Sequence, residues 1–167
     1  MKAAVLTSLN SDLEIIDLTI PELEKGQVLV KVKATGVCGA QLNQKKGIKI
    51  KKEFLPCLMG HEGSATVLQI GPGVSTVKIG DKVVLHWKKG HGLESVTPKY
   101  IWRGKSLNAG WVTTFNTHAI VSENRCTKIA ASTNPELASL FGCAITTGFG
   151  VVENNAPTKI NLTLVIF

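Results

Sequence analysis

The sequence predicts a mainly β protein with a few helices toward its carboxyl end. Three observations carry this reading. Apolar residues recur with a period of two through roughly the first ninety residues, glycines and prolines punctuate those runs, and a helix-start signature stands at Asn134-Pro135-Glu136.

Taken in order, Leu13, Ile15 and Ile16 set among Asp12, Glu14 and Asp17 predict an early strand. Pro21 and Gly26 mark the turn after it. Val28, Val30, Val32 and Ala34 then alternate with Leu29, Lys31 and Lys33, which predicts a strand with one buried face. Gly71-Pro72-Gly73 closes a strand over 64–70, and Gly80-Asp81 turns the chain into another over 82–86. Residues 88–110 hold four glycines and Pro98 among polar groups and read as a long surface loop. Strand character returns over 111–121. Asn134 is placed to cap a helix, with Pro135 at its first position and Glu136 near the positive end of its dipole. That helix is expected to run through Leu140 and a second to cover 144–153, stopped at Asn154-Asn155. A last apolar strand covers 162–167.

With 167 residues, 44% of them hydrophobic, the chain can bury the core of one compact domain. Four cysteines are too few for a disulfide scaffold and point to a reduced compartment. Asp12 and Glu14 interrupt the amino terminus, and no window reaches the roughly 18 apolar residues of a membrane helix. A cytoplasmic, soluble protein without a membrane partner is therefore expected. The net charge of +7 is partly concentrated in Lys45, Lys46, Lys49, Lys51 and Lys52. No aromatic residue is interleaved there, so a solvated surface is expected rather than a nucleic-acid partner.

Cys38, His61 and Cys143 are the candidate metal ligands. Each alone is ordinary, because a single cysteine usually packs as a small hydrophobe and a single histidine is usually a hydrogen-bonded structural residue. Together they offer two thiolates and an imidazole, a set that suits zinc. Their wide separation fits no finger-type spacing, so only a fold could join them.

Gly36-Val37-Cys38-Gly39, Gly60-His61-Glu62-Gly63, Val77-Lys78-Ile79-Gly80-Asp81-Lys82-Val83-Val84 and Gly142-Cys143-Ala144-Ile145-Thr146-Thr147-Gly148 occur in that order. This succession resembles the motifs of the zinc-dependent medium-chain dehydrogenase/reductase (alcohol dehydrogenase) family. The resemblance implies a GroES-like, partly open β-barrel catalytic domain over 1–143. Residues 144–167 would then be the linker helix and first strand of a truncated NAD(P)-binding domain. It further implies one catalytic zinc on Cys38, His61 and Cys143, acting as a Lewis acid on a small-molecule alcohol or carbonyl while a nicotinamide exchanges the hydride.

The same resemblance places Glu62 beside the metal, Trp87 in the wall of the substrate pocket and Thr147 against the nicotinamide. An ion pair or cap for Glu62, core packing for Trp87 and helix capping or back-bonding for Thr147 are the plainer alternatives.

Several positions depart from the family pattern. Ala40 stands where a hydroxyl usually relays the substrate proton, and Asn43 where a histidine often ends that relay. Gln41 replaces the aspartate that steadies the histidine ligand, so lower metal affinity is expected. The 88–110 loop has no cysteine, so no structural zinc is expected. Cys57 and Cys126 read as packing residues, and His86, His91 and His118 as non-ligands. No phosphate-gripping glycine turn comes after 162–167, so NAD(P) is expected only in a full-length parent, with this chain inactive alone. The apolar strand at 162–167 is expected to promote self-association. A non-catalytic zinc-binding or interaction module on the same barrel is the alternative.

Overall fold

The structure, a computed structural model, describes residues 1–48 and 50–155. It is built from antiparallel strands with three short helices, as the sequence predicts. In chain order these are β1 (Lys2–Leu6), β2 (Glu14–Asp17), β3 (Gln27–Thr35), α1 (Gly39–Lys45), β4 (Cys57–Leu58), β5 (Gly63–Ile70) and β6 (Lys82–Leu85). Next come β7 (Tyr100–Trp102), β8 (Lys105–Leu107), β9 (His118–Ser122), β10 (Cys126–Lys128), α2 (Pro135–Ser139) and α3 (Ala144–Asn155).

A five-stranded sheet runs β10-β6-β5-β3-β9, a three-stranded sheet runs β2-β1-β4, and β7 pairs with β8. One core, with Val28, Val30, Val67, Val83 and Leu85, draws side chains from all five strands of the larger sheet. A second, with Val5, Leu29, Leu58, Tyr100 and Ile120, lies between the two sheets and the β7–β8 hairpin. Each such side chain contributes about 1.5–3 kcal/mol relative to exposure.

β3 corrects the expectation of a strand with a single buried face. Val28 and Val30 enter one core while Leu29 enters the other, so its first half is covered on both sides. Only from Lys31 onward does it alternate with solvent. The β3–β5 register shifts twice, between Leu29 and Val30 and between Val32 and Ala34. Bulges of this kind bend a strand and re-aim the chain beyond its end. Beyond β3 that chain carries Gly36 and Cys38.

Residues 88–110 are not a plain loop, because β7 and β8 form a hairpin inside them. Arg103 and Gly104, both with positive φ (51° and 73°), make its turn. Tyr100 anchors the hairpin: its hydroxyl accepts the Ile120 N–H at 3.1 Å, and burial pushes its pKa up to about 12. The expected strand over 111–121 is real only from His118. Before that, the backbone spends its bonds in several directions: the Thr114 and Phe115 N–H groups donate to the Met59 carbonyl, and the Thr117 N–H to the Lys2 carbonyl. The segment ties elements together instead of joining one ladder.

The helix start is as predicted. Asn134 Oδ1 accepts from the N–H groups of Glu136 at 2.8 Å and Leu137 at 3.0 Å, a cap contributing about 1 kcal/mol. α2 ends at Ser139, one residue before the expected Leu140, and the chain continues as a single 3-10 turn over Leu140–Gly142. α3 covers the predicted 144–153 and extends to Asn155. Among the described residues no single helix is long and apolar enough to cross a membrane. The strand expected at 162–167, and the self-association through it, lie outside the described residues.

Candidate metal centre

Three segments distant in sequence converge at one end of the larger sheet. β3 delivers Gly36 to Cys38, which caps α1. The turn before β5 carries His61 and Glu62, and the 3-10 turn after α2 ends at Cys143. One donor atom from each of Cys38, His61 and Cys143 lies within 4.8 Å of the other two. All three residues are half-buried.

The imidazole is held from one side. Gln41, buried in α1, places its amide nitrogen 2.5 Å from His61 Nδ1. The other ring nitrogen, Nε2, is buried and has no hydrogen-bond partner. Burial pushes the His61 pKa down, partly countered by the charge of Glu62, so the ring favours the neutral form that a metal ligand needs.

Glu62 is 2% exposed and stands behind the donors rather than among them. Its Oε2 accepts the Ala144 N–H at 3.1 Å, bonding the first residue of α3 to the turn before β5. Two glycines make room for it. A Cβ on Gly36 would sit 2.5 Å from Glu62 Oε1, and one on Gly142 would sit 2.8 Å from Glu62 Cβ and 2.1 Å from the Leu85 carbonyl oxygen. The Glu62 carbonyl accepts the Thr35 hydroxyl at 2.9 Å, which fixes its backbone against the end of β3. These glycines are functional residues that a reading of donor types alone passes over; the Gly-x-Cys and Gly-Cys dispositions were the signal for them.

The Cys143 thiol pKa is pushed up by burial and by the negative charges of Cys38 and Glu62, against the lowering effect of the Thr147 hydroxyl. Thr147 Oγ1 lies 3.9 Å from Cys143 Sγ, and the Thr147 N–H donates to the Cys143 carbonyl at 2.8 Å within the first turn of α3. Thr147 and Trp87 both line an open, mainly apolar cleft of about 690 Å³ beside Gly142, together with Val84, Ile129 and Phe141. Trp87 is 52% exposed, so it is a wall of this cleft and not a core residue. Ala40 leaves the position two residues after Cys38 without a hydroxyl.

Cys57, Cys126, His86 and His118 have other surroundings. Cys57 is buried with Leu6 and Met59, its thiol pushed up to about 11 by burial, and Cys126 is buried under the larger sheet with its thiol also raised. His86 is engaged by the Lys88 carbonyl and Thr127, and His118 by Thr117. Among the described residues no other group of histidine, cysteine and carboxylate side chains converges. In the basic cluster, Lys45 pairs with Asp12 at 3.0 Å and Lys51 with Glu53 at 3.8 Å.

The donor set fits zinc. Two sulfurs and one imidazole nitrogen are gathered with no fourth protein donor in the group, and the nitrogen left to it is a buried, unpartnered Nε2. Three ligands with an open position characterise catalytic zinc rather than structural zinc.

Comparison with known proteins agrees with this geometry. Residues 24–131 match the family described as alcohol dehydrogenase GroES-like domain. An S-(hydroxymethyl)glutathione dehydrogenase from Escherichia coli (strain SMS-3-5 / SECEC) is 30% identical over 191 aligned residues, which cover 99% of this chain and 52% of the relative. The crystal structure of benzyl alcohol dehydrogenase from Acinetobacter calcoaceticus is similar with a TM-score of 0.75 at 30% identity, covering 92% of this chain and 47% of that one. An alcohol dehydrogenase zinc-binding domain protein from Burkholderia ambifaria gives a TM-score of 0.80 at 27% identity, covering 92% and 48%. The chain spans about half the length of the curated relatives it matches.

Proposed function

This chain belongs to the alcohol dehydrogenase GroES-like domain family, and from that premise we propose that it holds one catalytic zinc for NAD(P)-linked interconversion of a small alcohol and its carbonyl compound. The observation that carries the reading is the convergence of Cys38, His61 and Cys143 within 4.8 Å. When bound, zinc supplies Lewis acidity to the substrate oxygen.

The chain's own residues then have distinct parts. Cys38 and Cys143 supply thiolates and His61 supplies Nε2. Glu62 adds negative charge behind the donors and ties Ala144 to them, which keeps the Cys143 segment in place. Trp87, Val84 and Phe141 give the cleft an apolar wall for the carbon part of a substrate. Thr147, beside Cys143, lines the same cleft, which supports assigning it the contact with a nicotinamide. Ala40 cannot pass a proton, and the cleft is lined by other groups that can, among them His86 and the hydroxyls of Thr127, Thr146 and Thr147. A cytoplasmic setting, which keeps four free cysteines reduced, belongs to the same proposal, as does a domain boundary between Cys143 and Ala144, where α3 starts.

The relatives are named for S-(hydroxymethyl)glutathione and for benzyl alcohol. The substrate class proposed here is accordingly the small-molecule alcohol and no narrower.

Metal analysis of the purified 167-residue chain tests the zinc part. About one equivalent is expected, abolished in Cys143→Ser and in His61→Ala. Less than a tenth of an equivalent after reconstitution with excess zinc would refute it. Alcohol-dependent reduction of NAD+ or NADP+ by the protein carrying this domain, lost in the same variants, tests the activity.

A further inference from the structure

We propose that Gln41 holds the single proton of neutral His61 on Nε2, the very nitrogen the metal needs, and thereby sets the zinc affinity of the site; the inference rests on the zinc reading above. The Cys38 N–H donates to Gln41 Oε1 at 3.0 Å. A backbone N–H is a donor only, so this bond decides which end of the carboxamide is the oxygen. The opposite end, the NH2 group, is therefore the one 2.5 Å from His61 Nδ1. An NH2 group donates and does not accept, so Nδ1 must offer its lone pair. A neutral imidazole carries one N–H, which is then on Nε2. That nitrogen is buried and without a partner.

Ligation through Nε2 requires this proton to leave. If it moves to Nδ1, an N–H faces an NH2 group. If the amide turns over to accept it, the NH2 group faces the Cys38 N–H instead. Either route sacrifices one hydrogen bond, and neither conflict arises for a carboxylate. Metal-bound histidines ordinarily donate their second N–H to an accepting group, which fixes the useful tautomer. Gln41 reverses that polarity because its oxygen is already committed as the reach-back half of a capping box at the start of α1. It is a positioning residue that tunes the site against the metal.

The isosteric Gln41→Glu keeps one oxygen for the Cys38 N–H and presents the other to Nδ1. The experiment reads two quantities. Long-range 15N–1H correlation on the metal-free, 15N-labelled chain reports the His61 tautomer, and competition with a chromophoric chelator gives the zinc Kd of the native chain and of Q41E. The native chain is expected to show Nε2–H and Q41E to show Nδ1–H, with zinc bound about 10–100-fold more tightly by the variant. An Nδ1–H tautomer in the native chain overturns the inference while leaving the zinc reading intact, and so does an unchanged Kd in Q41E. If neither chain binds zinc, the zinc reading falls and the affinity claim with it. That result is distinguishable because the tautomer is read without metal. It also needs no variant, so a Q41E that fails to fold leaves the native-chain test standing.

Discussion

Replacing Gly142 by alanine is the sharpest perturbation of this architecture, because it adds one methyl group and no chemistry. The new Cβ would lie 2.1 Å from the Leu85 carbonyl oxygen and 2.8 Å from Glu62 Cβ. Reaching ordinary contact at 3.4 Å requires a retreat of about 1.3 Å from a backbone atom that has no rotamer to yield. Overpacking of this kind costs about 1–3 kcal/mol, which lowers the melting temperature by about 2–4 °C per kcal/mol in a domain of this size. The segment that must move carries Cys143 one residue on, and a zinc site tolerates only about 0.2 Å in its bond lengths. Zinc binding should therefore weaken at least tenfold, the equivalent of about 1.4 kcal/mol. Gly148→Ala is the matched control: it lies in α3 with nothing within 4 Å of its Cβ, and should stabilise by about 0.5–1 kcal/mol through helix propensity. Thermal unfolding by circular dichroism and chelator competition read both effects. A G142A protein that melts within a degree of the native one and binds zinc equally well would refute the reasoning about the shared space of Gly142, Leu85 and Glu62.

Two further outcomes rest on the same structure. Thiol titration near pH 7.5 should find two of the four cysteines reactive in the folded chain, half-buried Cys38 and, slowed by its raised thiol, Cys143, and zinc should protect both; Cys57, with its thiol raised to about 11, and buried Cys126 should react only on unfolding. Fast labelling of all four in the folded chain would contradict the packing described. Glu123 accepts the N–H groups of Ser75, Thr76 and Leu93, each at 2.7 Å. Burial raises its pKa, but these bonds outweigh it and hold the carboxyl below the usual range. Its contribution is thus complete above the unfolded value of about 4.3 and is lost as pH falls through the folded one. Glu123→Ala, which leaves three donors without an acceptor at about 1–3 kcal/mol each, should destabilise by several kcal/mol at pH 7. A shift in urea midpoint corresponding to less than 1 kcal/mol would count against that account.

The parts of the fold legible in the sequence are those with a local cause. Asn134, Pro135 and Glu136 act on the helix they begin, and the valines of β3 announce their period whatever surrounds them. The β7–β8 hairpin was hidden because its turn is Arg103-Gly104 and not one of the usual Asn-Gly or Asp-Gly pairs, and its strands have three residues each. The segment before His118 looked like strand because its apolar content is that of a strand; its scattered backbone bonds depend on Met59 and Lys2, which no window over that segment contains. The donors Cys38, His61 and Cys143 could be named from their motifs, whereas their approach required the fold. Gln41 was legible as a weaker support. That its nitrogen, and not its oxygen, turns to His61 depends on the Cys38 N–H and could come only from coordinates.

The bond from the Ala144 N–H to Glu62 spans 82 positions of the chain. Contacts of such separation close only after the intervening strands have paired, since the entropy of bringing the ends together must be met first. The gathering of Cys143 onto Cys38 and His61 is therefore predicted to follow the rate-limiting barrier. A ligand that grips only there acts on the exit from the native basin: zinc should slow unfolding while leaving refolding almost unchanged, visible as one displaced arm of a chevron plot. A metal held at this end of the domain would in that sense be a latch on its lifetime.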